Sequence, residues 1–60
     1  MNLGNLMETM KDEMSLALHE ADKFSAGNKS AGTRVRKHMQ SIKGLAQSVR
    51  TNVQETKNNM

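Results

Sequence analysis

Apolar side chains recur along the chain at alternating spacings of four and three residues. The first run is Leu3, Met7, Met10, Met14, Ala17, Ala21 and Phe24; the second is Val35, Met39, Ile42, Ala46, Val49 and Val53, closed by Thr56. Such alternation is the apolar seam of a heptad helix. Leu3, Met10, Ala17 and Phe24 take the d position of the first run, with Met7, Met14 and Ala21 at a; Val35, Ile42, Val49 and Thr56 take d in the second, with Met39, Ala46 and Val53 at a. The chain has no Pro and four Gly, so neither run meets a strong helix breaker. The pattern predicts helices near 3–25 and 30–57 with a loop at 26–29.

The loop chemistry agrees. In Ser25-Ala26-Gly27-Asn28-Lys29-Ser30, Gly27 suits the left-handed position that ends a helix, and Asn28 or Ser30 can cap the next one. Asn5 with Glu8 forms a plausible capping pair for the first helix. A short loop between long helices implies an antiparallel hairpin. Folding about 27–30 sets Ala21 near Met39, Ala17 near Ile42 and Met14 near Ala46, a small residue facing a large one at each level. Leu6, Leu18 and Leu45 fall beside this seam and widen the apolar face beyond what one helix covers. The expected fold is therefore all-α: a single-domain antiparallel hairpin, with two hairpins joining into a four-helix bundle.

Length points the same way, because a chain of 60 residues buries only roughly 60% of its unfolded surface. There is no Cys for a disulfide and no metal-ligand cluster, which leaves self-association, as dimer or tetramer, to supply the missing stability. The longest apolar run, Leu16-Ala17-Leu18, falls far short of the roughly 20 residues of a membrane span. The expectation is a cytoplasmic protein without a membrane partner.

Charge is unevenly divided. Residues 1–28 set Lys11 and Lys23 against Glu8, Asp12, Glu13, Glu20 and Asp22, a net −3; residues 29–60 set seven cations against Glu55 alone, a net +6. A polyanion partner for the second half follows. In the second helix Arg36, Lys43, Arg50 and Lys57 occupy every e position and span roughly 31 Å, close to the ~34 Å of one DNA turn. Lys29, Arg34 and Lys37 add charge at the loop end. Cations at e ordinarily pair with acids on the neighbouring helix. Here the facing e positions are Gly4, Lys11, Leu18 and Ser25, and the acids Glu13 and Glu20 lie at g, opposite Leu45 and His38. Only a second chain could then neutralise the stripe.

Cations at a helix N-terminus oppose the macrodipole, so the cluster at Lys29, Arg34, Arg36 and Lys37 makes sense if a phosphate docks there on free backbone N–H groups of Ser30–Thr33, with Gly32 allowing close approach. Gly27 and Gly32 have P-loop spacing, but Thr33 stands where Lys is needed and no strand precedes. One Phe and no Trp or Tyr cannot build the stacking platform of single-strand and RNA readers. Duplex phosphates remain as the partner, and phosphate contact carries no sequence information.

The run Gly27-Asn28-Lys29-Ser30-Ala31-Gly32-Thr33-Arg34-Val35-Arg36-Lys37 resembles the hairpin turn of the bacterial linker-histone-like proteins, which include the chlamydial nucleoid-condensing histone. In that family a Gly-Asn-Lys, small residues and an Arg-x-Arg or Arg-Lys cluster recur between two helices. Residues 39–50 look like the second helix of its short members, so the resemblance covers roughly 20–57. It implies a nucleoid-associated protein that binds and compacts DNA, with Lys29, Arg34, Arg36 and Lys37 as contact residues. These 60 residues include none of the long Lys/Ala/Pro-rich tail to which the chlamydial member owes much of its condensing capacity. Coating or bridging by an oligomer is what they imply.

Catalysis finds no foothold. His19 falls at exposed position f with Asp22 nearby, and His38 lies at g, where it would pair with Glu20. Met7, Met10, Met14 and Met39 sit on the seam and read as core, not as soft-metal ligands. No cofactor and no metal is expected. The competing reading is a coiled-coil interaction module whose basic stripe meets an acidic partner; an amphipathic element on anionic lipid is a further one, disfavoured by the missing aromatic anchors.

Overall fold

The computed structural model describes residues 2–60: two antiparallel helices, α1 (Leu3–Ser25) and α2 (Lys29–Asn58), with no strand among the described residues. The hairpin is a rod of 50 × 15 × 13 Å. No described helix is long and apolar enough to cross a membrane.

Local chemistry sets the ends. Asn2, not Asn5, caps α1: its extended backbone carries an Oδ1 that accepts the Asn5 N–H at 2.7 Å. The expected Asn5–Glu8 pairing is absent, because Asn5 already lies inside the helix and Glu8 meets Lys11 at 3.1 Å. At the other end the Gly27 N–H bonds the Phe24 carbonyl and the Asn28 N–H bonds the Lys23 carbonyl, both at 3.0 Å, with Gly27 at φ 106°. This is the paired bonding of a Schellman turn, which needs a left-handed residue at the glycine. Asn28 also starts α2, its Oδ1 accepting from Ala31 N–H and Ser30 Oγ. One residue thus ends one helix and begins the next, and the turn is tight.

The helices meet along a different face from the one expected. The heptad pattern predicts contact through a and d, whereas Leu6 and Ala31 at g are buried together with Ala17 at d. Glu13, Glu20, His38 and Leu45, also at g, are half-buried beside Val35, Ile42 and Val49. Of the a positions, Met7, Met14, Met39 and Val53 stand exposed, and only the small Ala21, Gly32 and Ala46 are partly covered. Each helix has turned roughly 60° from the a/d seam, at 100° per residue. Leu6 and Leu45, expected to flank the seam, form part of it, while Leu18 remains outside.

Two features favour the turned seam. Small residues at Ala17 and Ala31, 2% and 0% exposed, let the backbones approach, and the polar g residues find partners across the gap. His38 Nδ1 lies 2.8 Å from Glu13 Oε1, and Arg34 Nε donates to Glu20 Oε2 at 2.7 Å. Glu13 was expected opposite Leu45 and Glu20 opposite His38, so both acids find their partners at least one helical turn nearer the loop. The tight turn, which brings α2 in at Lys29, accounts for that direction.

The turned seam is checked by paired truncations. In the single hairpin, at concentrations too low for self-association, Leu6→Ala should cost about 2–5 kcal/mol, as deletion of a buried Leu does, while Met7→Ala should stay within about 0.5 kcal/mol, as exposed substitutions do. Thermal unfolding followed by circular dichroism reads both. The reverse order would restore the a/d seam.

Candidate nucleic-acid interface

The cations of α2 divide by helical position. Lys29, Arg36, Lys43, Arg50 and Lys57 recur every seven residues along the outer side of α2, and all are exposed. Among the described residues none of them is ion-paired. Lys37, also exposed and without an ion pair among the described residues, sits at the far margin of this strip. Arg34 is placed elsewhere: it turns toward α1, where Glu20 holds its guanidinium, leaving the side chain 43% exposed.

Reasoning from charge missed the residues between the cations. Gln40 lies four residues after Arg36 and three before Lys43; Gln47 stands likewise between Lys43 and Arg50, and Gln54 between Arg50 and Lys57. Residues three and four apart are neighbours on a helix surface. With Thr33 between Lys29 and Arg36, the outer side carries one continuous row, every member exposed. At 1.5 Å per residue it runs roughly 42 Å. The signal was in the sequence: the same alternation of four and three that marks an apolar seam, written in cations and amides. Glu55 is the one acid of α2 and lies beside the row, in a shallow groove with Gln47, Arg50, Thr51 and Gln54. Two amides are partly engaged within the helix, Gln47 with Thr51 at 3.5 Å and Gln54 with Asn58 at 3.1 Å. Such exposed bonds exchange readily for a ligand's oxygens.

The loop end is less open than the sequence suggests. The Ala31 N–H is taken by Asn28, and Ala31 is fully buried. Gly32 does permit a close approach, but the Phe24 ring makes it: a Cβ at residue 32 would stand 2.8 Å from that ring. The cradle expected for a phosphate at Gly32 is filled by the protein itself.

A long row of cations on a solvent-facing helix, exposed and without ion pairs among the described residues, has the form of a surface that an extended polyanion can follow. Comparison with known families decides its class: a family model described as histone H1-like protein Hc1 matches residues 4–59. The chain belongs to this histone H1-like family. The match spans both helices and the turn, so the hairpin itself is the histone H1-like unit. Membership points to DNA as the ligand and away from catalysis. No individual curated protein and no solved structure matches the chain.

In this histone H1-like hairpin Arg34 is divided between fold and surface. Its hydrogen bond to Glu20 holds that carboxyl below the ordinary value of 4.5, against the opposing effect of partial burial and with help from Lys23 and His19. Because the folded-state value is the lower one, the pair stabilises the hairpin above pH 4.5 and the contribution disappears as pH falls through the lowered value. Glu20→Gln should remove this acid-sensitive contribution from the pH–stability profile. It should also release Arg34 toward a phosphate, steepening the slope of log affinity against log salt by up to ~0.9. A duplex titration over a salt series checks this; an unchanged slope would place Arg34 off the phosphate path.

Proposed function

We propose that the chain binds duplex DNA largely without regard to sequence, coating and compacting it through the outer side of α2. The reading implies a nucleoid location in the cytoplasm. One observation carries it: the row from Lys29 to Lys57, in which every cation is exposed and unpaired among the described residues, in a chain of histone H1-like family. Five cations spaced seven residues apart present charge at ~10.5 Å intervals along a straight rod. A helix laid against a duplex can meet phosphates at that interval without reading base edges. The intervening amides are neutral donors and acceptors suited to phosphate and sugar oxygens. Lys37 extends the contact at the loop end, and Arg34 joins it when Glu20 lets go.

Non-specific affinity of this kind arises from counterion release and carries a salt signature. If Lys29, Arg36, Lys43, Arg50 and Lys57 each meet a phosphate, log affinity should fall against log salt with a slope near −4 to −5 per protomer. Replacing Lys43 and Arg50 together with Gln should weaken binding to all duplex sequences alike and reduce that slope by roughly 2. Helicity should be unchanged, since neither side chain touches the seam. An interaction module that meets an acidic protein predicts the opposite: DNA affinity indifferent to the double substitution. A wild-type chain that fails to retain random-sequence duplex at about 50 mM salt, where such contacts are strong, would refute the proposal.

A further inference from the structure

The turned seam leaves one broad side of the hairpin apolar and uncovered. In an antiparallel pair meeting through d and g, the a and e positions of both helices fall on the same side. The groove at the closed end shows this, with Ala21, Phe24, Gly32 and Val35 forming its floor and Lys29 and Arg36 its margin. Along the rest of that side Met7, Met14, Leu18, Met39 and Val53 stand exposed by 40–62%. A face of 50 by 15 Å offers roughly 750 Å² to a partner, close to the ~800 Å² per side of a standard interface. The opposite side, by contrast, is mostly polar, with Asp12, His19, Ser41, Ser48 and Thr51.

We infer that a second copy of this chain covers the apolar face with its two-fold axis parallel to the helices, so that α2 of each copy lies over α1 of the other and the two basic rows run along opposite edges of the dimer, holding two duplexes. This rests on the duplex-binding reading above and adds its geometry. Closed two-fold pairing is the commonest assembly of identical chains, and two orientations of the axis would bury this face. An axis across the helices stacks α2 on its own copy and brings both rows of Lys29, Arg36, Lys43, Arg50 and Lys57 together on one edge. The two segments meeting there carry +6 each, and like charges set against one another are costly. An axis along the helices sets the +6 segment of each copy over the −3 segment of the other. Charge complementarity selects the second orientation. The amides Gln40, Gln47 and Gln54, pointing away from both the seam and the apolar face, stay in solvent on each edge.

A dimer with a binding row on each edge joins duplexes rather than merely lining one. The experiment tethers one duplex to beads and measures capture of a second, labelled, free duplex by the wild-type chain and by Met14→Glu and Met39→Glu, with single-duplex retardation run in parallel. Both substitutions lie on the apolar face, outside the seam and the row. The wild type should capture the free duplex; the variants should keep their helicity and still retard one duplex, yet capture none. The axis is tested separately, since the chain has no native Cys: copies carrying Met14→Cys, mixed with copies carrying Met39→Cys and oxidised, should join one kind to the other. Preferential joining of Met39→Cys to itself would overturn the orientation. Wild-type retardation without capture would overturn the bridging inference while leaving duplex binding intact, and absence of retardation would instead refute the proposed function.

Discussion

The structure depends on two helices meeting through their d and g positions. That seam is thin: Leu6, Ala17 and Ala31 are its buried side chains among the described residues, and the remainder is half-buried or polar. Its polar part is satisfied across the gap, Glu13 by His38 and Glu20 by Arg34, which removes the cost of turning carboxylates toward a neighbouring helix. The same rotation decides what the surface offers. By drawing g inward it pushes the methionines of the a row outward, and it leaves the e and b positions of α2 on the outer side, where Arg36, Lys43, Arg50 and Lys57 alternate with glutamines.

Cations in this small protein are therefore of two kinds. Arg34 belongs partly to the fold, since its guanidinium closes the seam against Glu20. Lys29 and the four cations that follow it at seven-residue spacing have no partner among the described residues. Exposed ion pairs contribute little to stability, so a chain of this length loses little by leaving such charges unpaired. What they provide is a field, held straight by a 30-residue helix, that an extended polyanion can follow. Membership of a histone H1-like family gives that field its ligand class.

The helical hairpin was legible in the sequence because its determinants are local. Gly27 and Asn28 announce a turn whatever lies elsewhere, and the four-three alternation needs no tertiary knowledge. Which side of each helix faces the other was not legible. Apolar residues extend over a, d and part of g, with Leu6, Ala31 and Leu45 on one flank and Met7, Met14 and Met39 on the other; an arc that wide fixes no single centre. The choice turns on pairings such as Glu13 with His38, which exist only once the helices are side by side. Capping at Asn2 in place of Asn5 is a smaller case, since two asparagines three residues apart offer the same chemistry and the backbone decides between them. The glutamines of the outer row were missed because charge drew attention to their neighbours, although their spacing was in plain view.

The central claim is that DNA lies along the outer side of α2 and nowhere else on the hairpin. Backbone amide and side-chain amide shifts, followed by nuclear magnetic resonance during titration with a short random-sequence duplex, test this most directly. The account predicts shifts that follow Arg36, Gln40, Lys43, Gln47, Arg50, Gln54 and Lys57 in helical order, while Leu16, Ser41 and Ser48, on the side of the hairpin opposite the apolar face, stay still. Shifts centred on α1, or none along α2 at duplex concentrations that retard the protein, would contradict it.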